Sequence, residues 1–177
     1  SSQKPPLDEN GFTGETTNPY GTSKYLIECI LKDLSKFDSR WQIGIARYFN
    51  PIANHHSGLI NDNPKDKFGN LIFNIINVAK KKQSHLKIYG NNYKTRDGTC
   101  IRDFIHIVDL AKGHTAMLKA NVLKNGYEIY NFGTGKGVTV KELIEAFEKN
   151  VGISIPLKYL KKRKGEIPVS YCNNNKA

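Results

Sequence analysis

With 177 residues, 38% of them hydrophobic and 10% aromatic, the chain is long enough for one domain with a real core and is not of disordered composition. No apolar run approaches the ~20 residues of a membrane span, SSQKPPLDEN has no signal-peptide pattern, and Cys29, Cys100 and Cys172 form neither a metal spacing nor a disulfide framework, so a reducing cytoplasm is expected. The net charge of +11 invites a non-enzymatic polyanion-binding class, but 22 of the 27 basic residues are scattered lysines, and the runs at 80–82 and 161–164 lack interleaved aromatics, so nucleic-acid binding is the minority reading.

Residues 1–19 are rich in Pro, Gly and Thr and read as loop. Pro19 then stands just before an amphipathic run, Lys24 to Phe37, which puts Tyr20 and Lys24 at i and i+4 on one face of the first helical turns. A lysine ammonium beside a phenol favours the phenolate, and such a tyrosine can take a proton from a sugar hydroxyl while hydride leaves the same carbon. On its own the pair reads more readily as a surface tyrosine and a solvated lysine, since a bare YxxxK recurs by chance in many chains. Leu26, Ile27, Ile30, Leu31, Leu34 and Phe37 complete a broad apolar stripe.

Trp41 to Phe49 alternates and reads as a strand closed by Asn50-Pro51, the tail of a βαβ arrangement. Ligands of open α/β sheets bind beyond the carboxyl ends of strands, which places Tyr48, Phe49 and Asn50 near a site. Residues 51–68 read as a polar loop, its adjacent His55 and His56 pointing apart into solvent, with no third ligand for a metal. A helix is predicted over 70–82, with lysines at its carboxyl end where they suit the dipole. Leu86–Tyr89 reads as a strand, 90–99 as a loop, and Ile101–Val108 as a strand. Asp109 is the predicted cap of a helix to Ala120, Tyr127–Phe132 is a strand, and Thr139 with Glu142 forms a capping box. The glycines at 133–137 imitate a dinucleotide fingerprint, but no acidic residue ends a following strand, so the loop reads as a tight strand-to-helix turn. Ile155–Leu160 reads as a last strand, before a basic loop holding Arg163 and Glu166.

Six segments in order carry a resemblance: NPYGTSK (18–24), RYFNP (47–51), GNLI (69–72), IYGNNYKTRDGTCIRDFIHIVDLAKGH (88–114), YNFGTGKG (130–137) and RKGEIP (163–168). Together they resemble the UDP-glucose 4-epimerases, extended short-chain dehydrogenase/reductases with tightly bound NAD. The resemblance implies an α/β fold: the carboxyl-terminal part of a Rossmann-like parallel sheet plus a smaller α/β substrate-binding domain. Residues 1–50 would end the NAD-binding domain, 51–177 would be mainly substrate domain, and 101–135 would return to the Rossmann sheet. The family's glycine-rich turn, amino-terminal nucleotide-binding strands and catalytic serine have no counterpart, so a carboxyl-terminal fragment is expected, inactive and unable to bind NAD alone.

The resemblance implies roles residue by residue. Tyr20 would be the acid/base, Lys24 would bond the nicotinamide ribose, and Tyr48 and Phe49 would lie at the nicotinamide. Asn50, Asn70 and the Leu71 amide would hold the diphosphate and sugar. The backbone of Lys87 and Ile88 would meet uracil, with Tyr89 packing on it. Arg102 and Arg163 would neutralise the diphosphate, as planar guanidiniums suit paired oxygens. Glu166 stands where the family usually has Asp, bonding the uridine ribose, and Ser170 would border the sugar's 2-substituent, leaving room for an acetamido group. The implied reaction is reversible epimerisation at C4′ of UDP-galactose and UDP-glucose, with UDP-N-acetylhexosamines as further substrates. A UDP-sugar would be the partner, with neither nucleic acid nor membrane, in a parent homodimer. Another NAD-linked nucleotide-sugar enzyme, such as a 4,6-dehydratase, is the alternative.

Overall fold

The computed structural model describes residues 4–11, 13–60, 70–119 and 126–177; the second half of the expected polar loop and Ala120, the expected end of the helix after Asp109, lie outside the described residues. Helix α1 (Pro19–Phe37) starts where expected because Asn18 caps it: its side-chain oxygen accepts the Gly21 amide at 2.8 Å, and Pro19 stands in the first turn, where no donor is needed. Strand β1 (Ile43–Tyr48) runs parallel to β6 (Tyr127–Phe132), with Tyr48 opposite Phe132. Leu31 and Leu34 of α1 pack on Ile43, Ile45 and Ile129, whereas Leu26, Ile27 and Ile30 leave 53%, 47% and 66% of their surface exposed. The apolar stripe of α1 is thus wider than the surface it covers here. A bidentate ion pair fixes the helix to the strand: Arg47 Nε and Nη2 donate to Glu28 at 2.9 and 2.8 Å.

Several boundaries differ from those expected. Asn50, read as a strand end, begins a second short strand, β2 (Asn50–Ile52), parallel to β5 (Phe104–His106). The continuous strand expected over 101–108 is broken at Asp103 into β4 (Ile101–Arg102) and β5, because the Asp103 side chain is drawn inward. Helix α3 (Ile107–Lys119) starts two residues before the expected cap; His106 Nδ1 accepts the Val108 amide at 3.1 Å, and Asp109 falls inside the first turn. Helix α2 (Leu71–Ala79) stops earlier than expected, with Lys80 as its cap residue and Lys81 left-handed at φ 58°, so the lysines lie past its end. His55 and His56 do not point apart: their rings meet with centroids 4.1 Å apart.

The second core lies under the carboxyl-terminal half. Strand β3 (Leu86–Tyr89) is parallel to β8 (Leu157–Leu160), and α2 with α4 (Val140–Val151) buries Ile75, Val78, Leu86, Ile88, Ile144 and Ile155 between them. The capping box of α4 forms as read, Thr139 Oγ1 accepting the Glu142 amide at 3.0 Å and Glu142 accepting the Thr139 amide at 2.9 Å. Arg96 forms an ion pair with Glu142, and this bond, with the Thr139 amide, holds the carboxyl down at about 2. Before that helix, β7 (Val138–Thr139) pairs antiparallel with β4, whose other edge carries β9 (Val169–Ser170). Gly44 of β1 lets α3 sit close, since a Cβ there would lie 2.6 Å from Met117 Sδ.

Asp103, fully buried, ties these pieces together. Oδ1 accepts the Thr134 amide at 2.8 Å and its hydroxyl at 2.7 Å; Oδ2 accepts the Gly135 amide at 3.0 Å and the Cys172 amide and thiol at 3.3 and 3.2 Å. Its backbone carbonyl accepts the Asn50 amide at 2.9 Å. Burial pushes the carboxyl upward, but the Thr134 and Cys172 bonds outweigh it and hold Asp103 below the usual aspartate range. Burial and the same carboxylate push the Cys172 thiol up to about 12. Gly133 is needed beside them, because a Cβ would stand 2.6 Å from Asp103 Oδ2 and from Cys172 Sγ.

Replacing Asp103 with Asn should cost ~2–4 kcal/mol at neutral pH in urea unfolding, since buried donors lose a charged acceptor. A folded-state pKa below the unfolded value gives stability that is complete above ~pH 4 and lost as acid titrates the folded carboxyl. The gap between the two proteins should therefore narrow only below ~pH 4; a gap that stays constant into strong acid would count against an ionised Asp103.

Candidate functional site

Two cavities open where β1 ends and β2 begins. The larger, about 850 Å³, lies between the amino terminus of α2, strand β3 and the segment bearing Arg163 and Glu166. The smaller, about 470 Å³, is bordered by Asn18, Tyr48, Phe49, Lys164 and Ser170. Asn50, Arg102 and Glu166 line both and form the ridge between them.

Each ridge residue is held by an element already described. The Asn50 amide is fixed by the Asp103 carbonyl. Arg102 Nη2 donates to Glu166 Oε1 at 2.5 Å, and Nη1 donates to its neighbour's carbonyl at Ile101 at 2.8 Å. Both partners of that ion pair are mostly buried, with 16% and 22% of their side chains exposed. The guanidinium and carboxylate expected to meet a ligand separately are therefore joined to each other. Arg163 is likewise occupied, its guanidinium carbon lying 3.9 Å from the Tyr89 ring centroid, across the face on which a base was expected to pack.

The wall at β3 is more selective than the sequence indicated. Leu86 and Gly90 donate their amides to Pro156 and Leu160 at 2.7 and 2.9 Å, so alternate residues turn their backbone groups toward β8. The amide and carbonyl of Lys87 consequently face the opposite edge, which has no strand partner among the described residues, whereas those of Ile88 face β8 and its side chain is core. Opposite, Asn70 caps α2, its Oδ1 accepting the Phe73 amide at 2.8 Å, and the Leu71 amide belongs to the first helical turn.

Tyr20 and Lys24 share a helical face, with Lys24 Nζ 5.3 Å from the Tyr20 ring centroid, against the ring. Tyr20 is 73% exposed, and neither residue lines the two cavities; the adjacent cap residue Asn18 does. Ser170 lines the smaller cavity, while Tyr171 packs on the far side, its ring 2.9 Å from where a Gly137 Cβ would stand. The glycine loop cradles an anion after all, the chain's own: the Thr134 and Gly135 amides both bind Asp103.

His114, Lys164 and Arg47, given no role by the sequence motifs, also stand at the site. His114 bonds the Tyr48 hydroxyl at 2.7 Å, Lys164 adds positive charge to the smaller cavity, and Arg47 borders it while paired with Glu28. The signal was present for each, inside the RYFNP, LAKGH and RKGEIP segments, but only the tertiary fold brings them to one place.

Asn70→Ala should cost ~1 kcal/mol in urea unfolding through loss of the cap, with Asn70→Ser recovering most of it. Equal stability of all three proteins would show that the cap contributes nothing.

A family model described as "NAD dependent epimerase/dehydratase family" matches residues 2–133. The UDP-glucose 4-epimerase of Bos taurus is 45% identical over 168 residues, covering 95% of this chain and 48% of that relative. The crystal structure of UDP-glucose 4-epimerase from Bifidobacterium longum in complex with NAD+ and UDP superimposes with a TM-score of 0.93 at 44% identity, over 98% of this chain and 52% of that one. The UDP-Glc/GlcNAc 4-epimerase of Campylobacter jejuni matches at a TM-score of 0.73 and 35% identity, over 98% and 52% of the two chains. The chain thus spans about half the length of the relatives it matches.

Proposed function

The chain belongs to the NAD dependent epimerase/dehydratase family, and from that premise we propose that it supplies the substrate-binding half of a UDP-glucose 4-epimerase. The observation that carries this reading is the pair of cavities meeting at Asn50, Arg102 and Glu166. A UDP-sugar has the same plan: a nucleoside, a doubly charged linker and a hexose. The uridine takes the larger cavity, where the free backbone edge at Lys87 can exchange hydrogen bonds with uracil and Tyr89 offers a stacking face. The diphosphate crosses the ridge, where Arg102 and Arg163 exchange their internal contacts for phosphate oxygens. Asn50, Asn70 and the Leu71 amide bond the linker and sugar, and Glu166, released from Arg102, bonds the ribose.

NAD fits these residues at one end only. Tyr48 and Phe49 border the smaller cavity with a hydroxyl and an aromatic ring suited to a nicotinamide, whereas the glycine loop has its amides committed to Asp103 and offers no pyrophosphate cradle. When bound, NAD would supply a reversible hydride acceptor. Lys24 would bond its ribose, and Tyr20 would take the proton of the 4′-hydroxyl and give it back after the sugar has turned over. In domain terms, residues 1–50 and the returning segment 101–135 belong with the cofactor sheet, which the parallel β1–β6 pair supports, and the remainder with the substrate domain. The exposed apolar face of α1 supports a homodimer, and the free thiols of Cys29, Cys100 and Cys172 suit a cytoplasmic location.

Ser170 favours a second substrate class. It is small and lines the smaller cavity, while Tyr171 is turned away onto Gly137, so an acetamido group has room beside a hexose.

In the full-length protein carrying these residues, Tyr20→Phe should lower kcat at least ~100-fold while UDP affinity stays within about threefold. Unchanged kcat removes Tyr20 from the chemistry. Ser170→Tyr should lower kcat/KM for UDP-N-acetylgalactosamine by ~10-fold or more relative to UDP-galactose, because overfilling a packed pocket costs ~1–3 kcal/mol. A ratio that does not move places the gate elsewhere.

A further inference from the structure

Tyr48 stands at the carboxyl end of β1, 52% exposed, among the residues that border the smaller cavity. Its hydroxyl lies 2.7 Å from His114 Nε2 on α3. The other ring nitrogen of His114, Nδ1, is 2.8 Å from the Leu110 carbonyl. A carbonyl can only accept, so Nδ1 carries the hydrogen, and in the neutral imidazole Nε2 is then the acceptor. The Tyr48 hydroxyl must donate to it.

This geometry is braced. The His114 ring meets Tyr48 edge-on at 5.3 Å and Phe132 edge-on at 5.5 Å, and Phe132 is buried. Gly113 permits the approach, since a Cβ at that position would stand 3.1 Å from the Phe132 ring. The imidazole therefore sits between two aromatic rings, with both nitrogens engaged.

A phenol has one hydrogen and two acceptor sites. We propose that His114 is a positioning residue for the cofactor: by taking the only hydrogen of Tyr48, it leaves that hydroxyl able solely to accept, and so selects an N–H donor of the carboxamide class at the adjoining cavity. The inference rests on the NAD reading above and adds to it a reason why one end of the nicotinamide ring is preferred over the other. A ligand bearing a ketone in place of the amide would set two acceptors against each other.

The test uses the full-length protein freed of cofactor, with equilibrium binding of NAD and of its 3-acetylpyridine analogue, in which a methyl ketone replaces the carboxamide. The unaltered protein should prefer NAD by about fivefold, the scale of one neutral hydrogen bond. His114→Phe keeps a ring against Phe132 but frees the Tyr48 hydrogen to reach the ketone, and the preference should fall to within about twofold. His114→Gln retains an acceptor and should keep it. Tyr48→Phe preserves the ring, loses the hydroxyl and should lose the preference too, which reads the same interaction should His114→Phe fail to fold. Equal binding of the two dinucleotides by the unaltered protein overturns the proposal. So does a preference that survives in His114→Phe or in Tyr48→Phe. Binding of neither dinucleotide by the unaltered protein overturns the cofactor reading instead.

Discussion

The carboxylate of Asp103 is the constraint on which the other placements depend. One buried charge accepts four backbone or hydroxyl donors and a thiol, drawn from the glycine loop after β6 and from the segment after β9. Its own carbonyl anchors Asn50. Burial of an ion is tolerable only when its oxygens are saturated, and here the saturation itself brings three distant stretches together. Arg102, the next residue back, is thereby presented at the ridge between the cavities, and the parallel partner of Arg102 is Ser170. The groups that line the cavities are thus aimed by a charge that faces inward.

Two of the site's cations already have partners. Arg102 is paired with Glu166, and Arg163 lies on Tyr89. On the proposed reading a diphosphate would replace these partners, so its net affinity would reflect an exchange of contacts. The same exchange would free a carboxylate and an aromatic face at the moment when a ribose and a base arrive. On that reading, binding of linker and nucleoside would be connected through these two side-chain contacts.

Much of this was legible in the sequence, where local chemistry decided the outcome. Asn18-Pro19 set the start of α1, Thr139 and Glu142 the capping box, and the alternation in Tyr127–Phe132 its strand. The segments that carried the resemblance fall around the two cavities, with the chain's five arginines distributed so that Arg47, Arg102 and Arg163 are all at the site. Long-range partnership was not legible. Nothing local says that Asp103 turns inward and breaks a strand that IRDFIHIV otherwise resembles, nor that the amides of Thr134 and Gly135 receive a carboxylate 31 and 32 residues upstream. The orientation of β3 was half legible: alternation gives the side chains, but which backbone edge stays open depends on which neighbour arrives, here β8.

The close seat of α3 on β1 has a use of its own. Met117 fills the space above Gly44, and it is the only methionine in the chain. An isotopically labelled methionine methyl would give a single resonance reporting the spacing of that helix from the strand that ends at Tyr48. Conversion of its sulfur to the sulfoxide would place a polar oxygen beside the close approach at Gly44 and loosen the packing of helix on strand. Oxidation would thus reach the strand end at Tyr48 through packing, without touching a residue that lines the cavities.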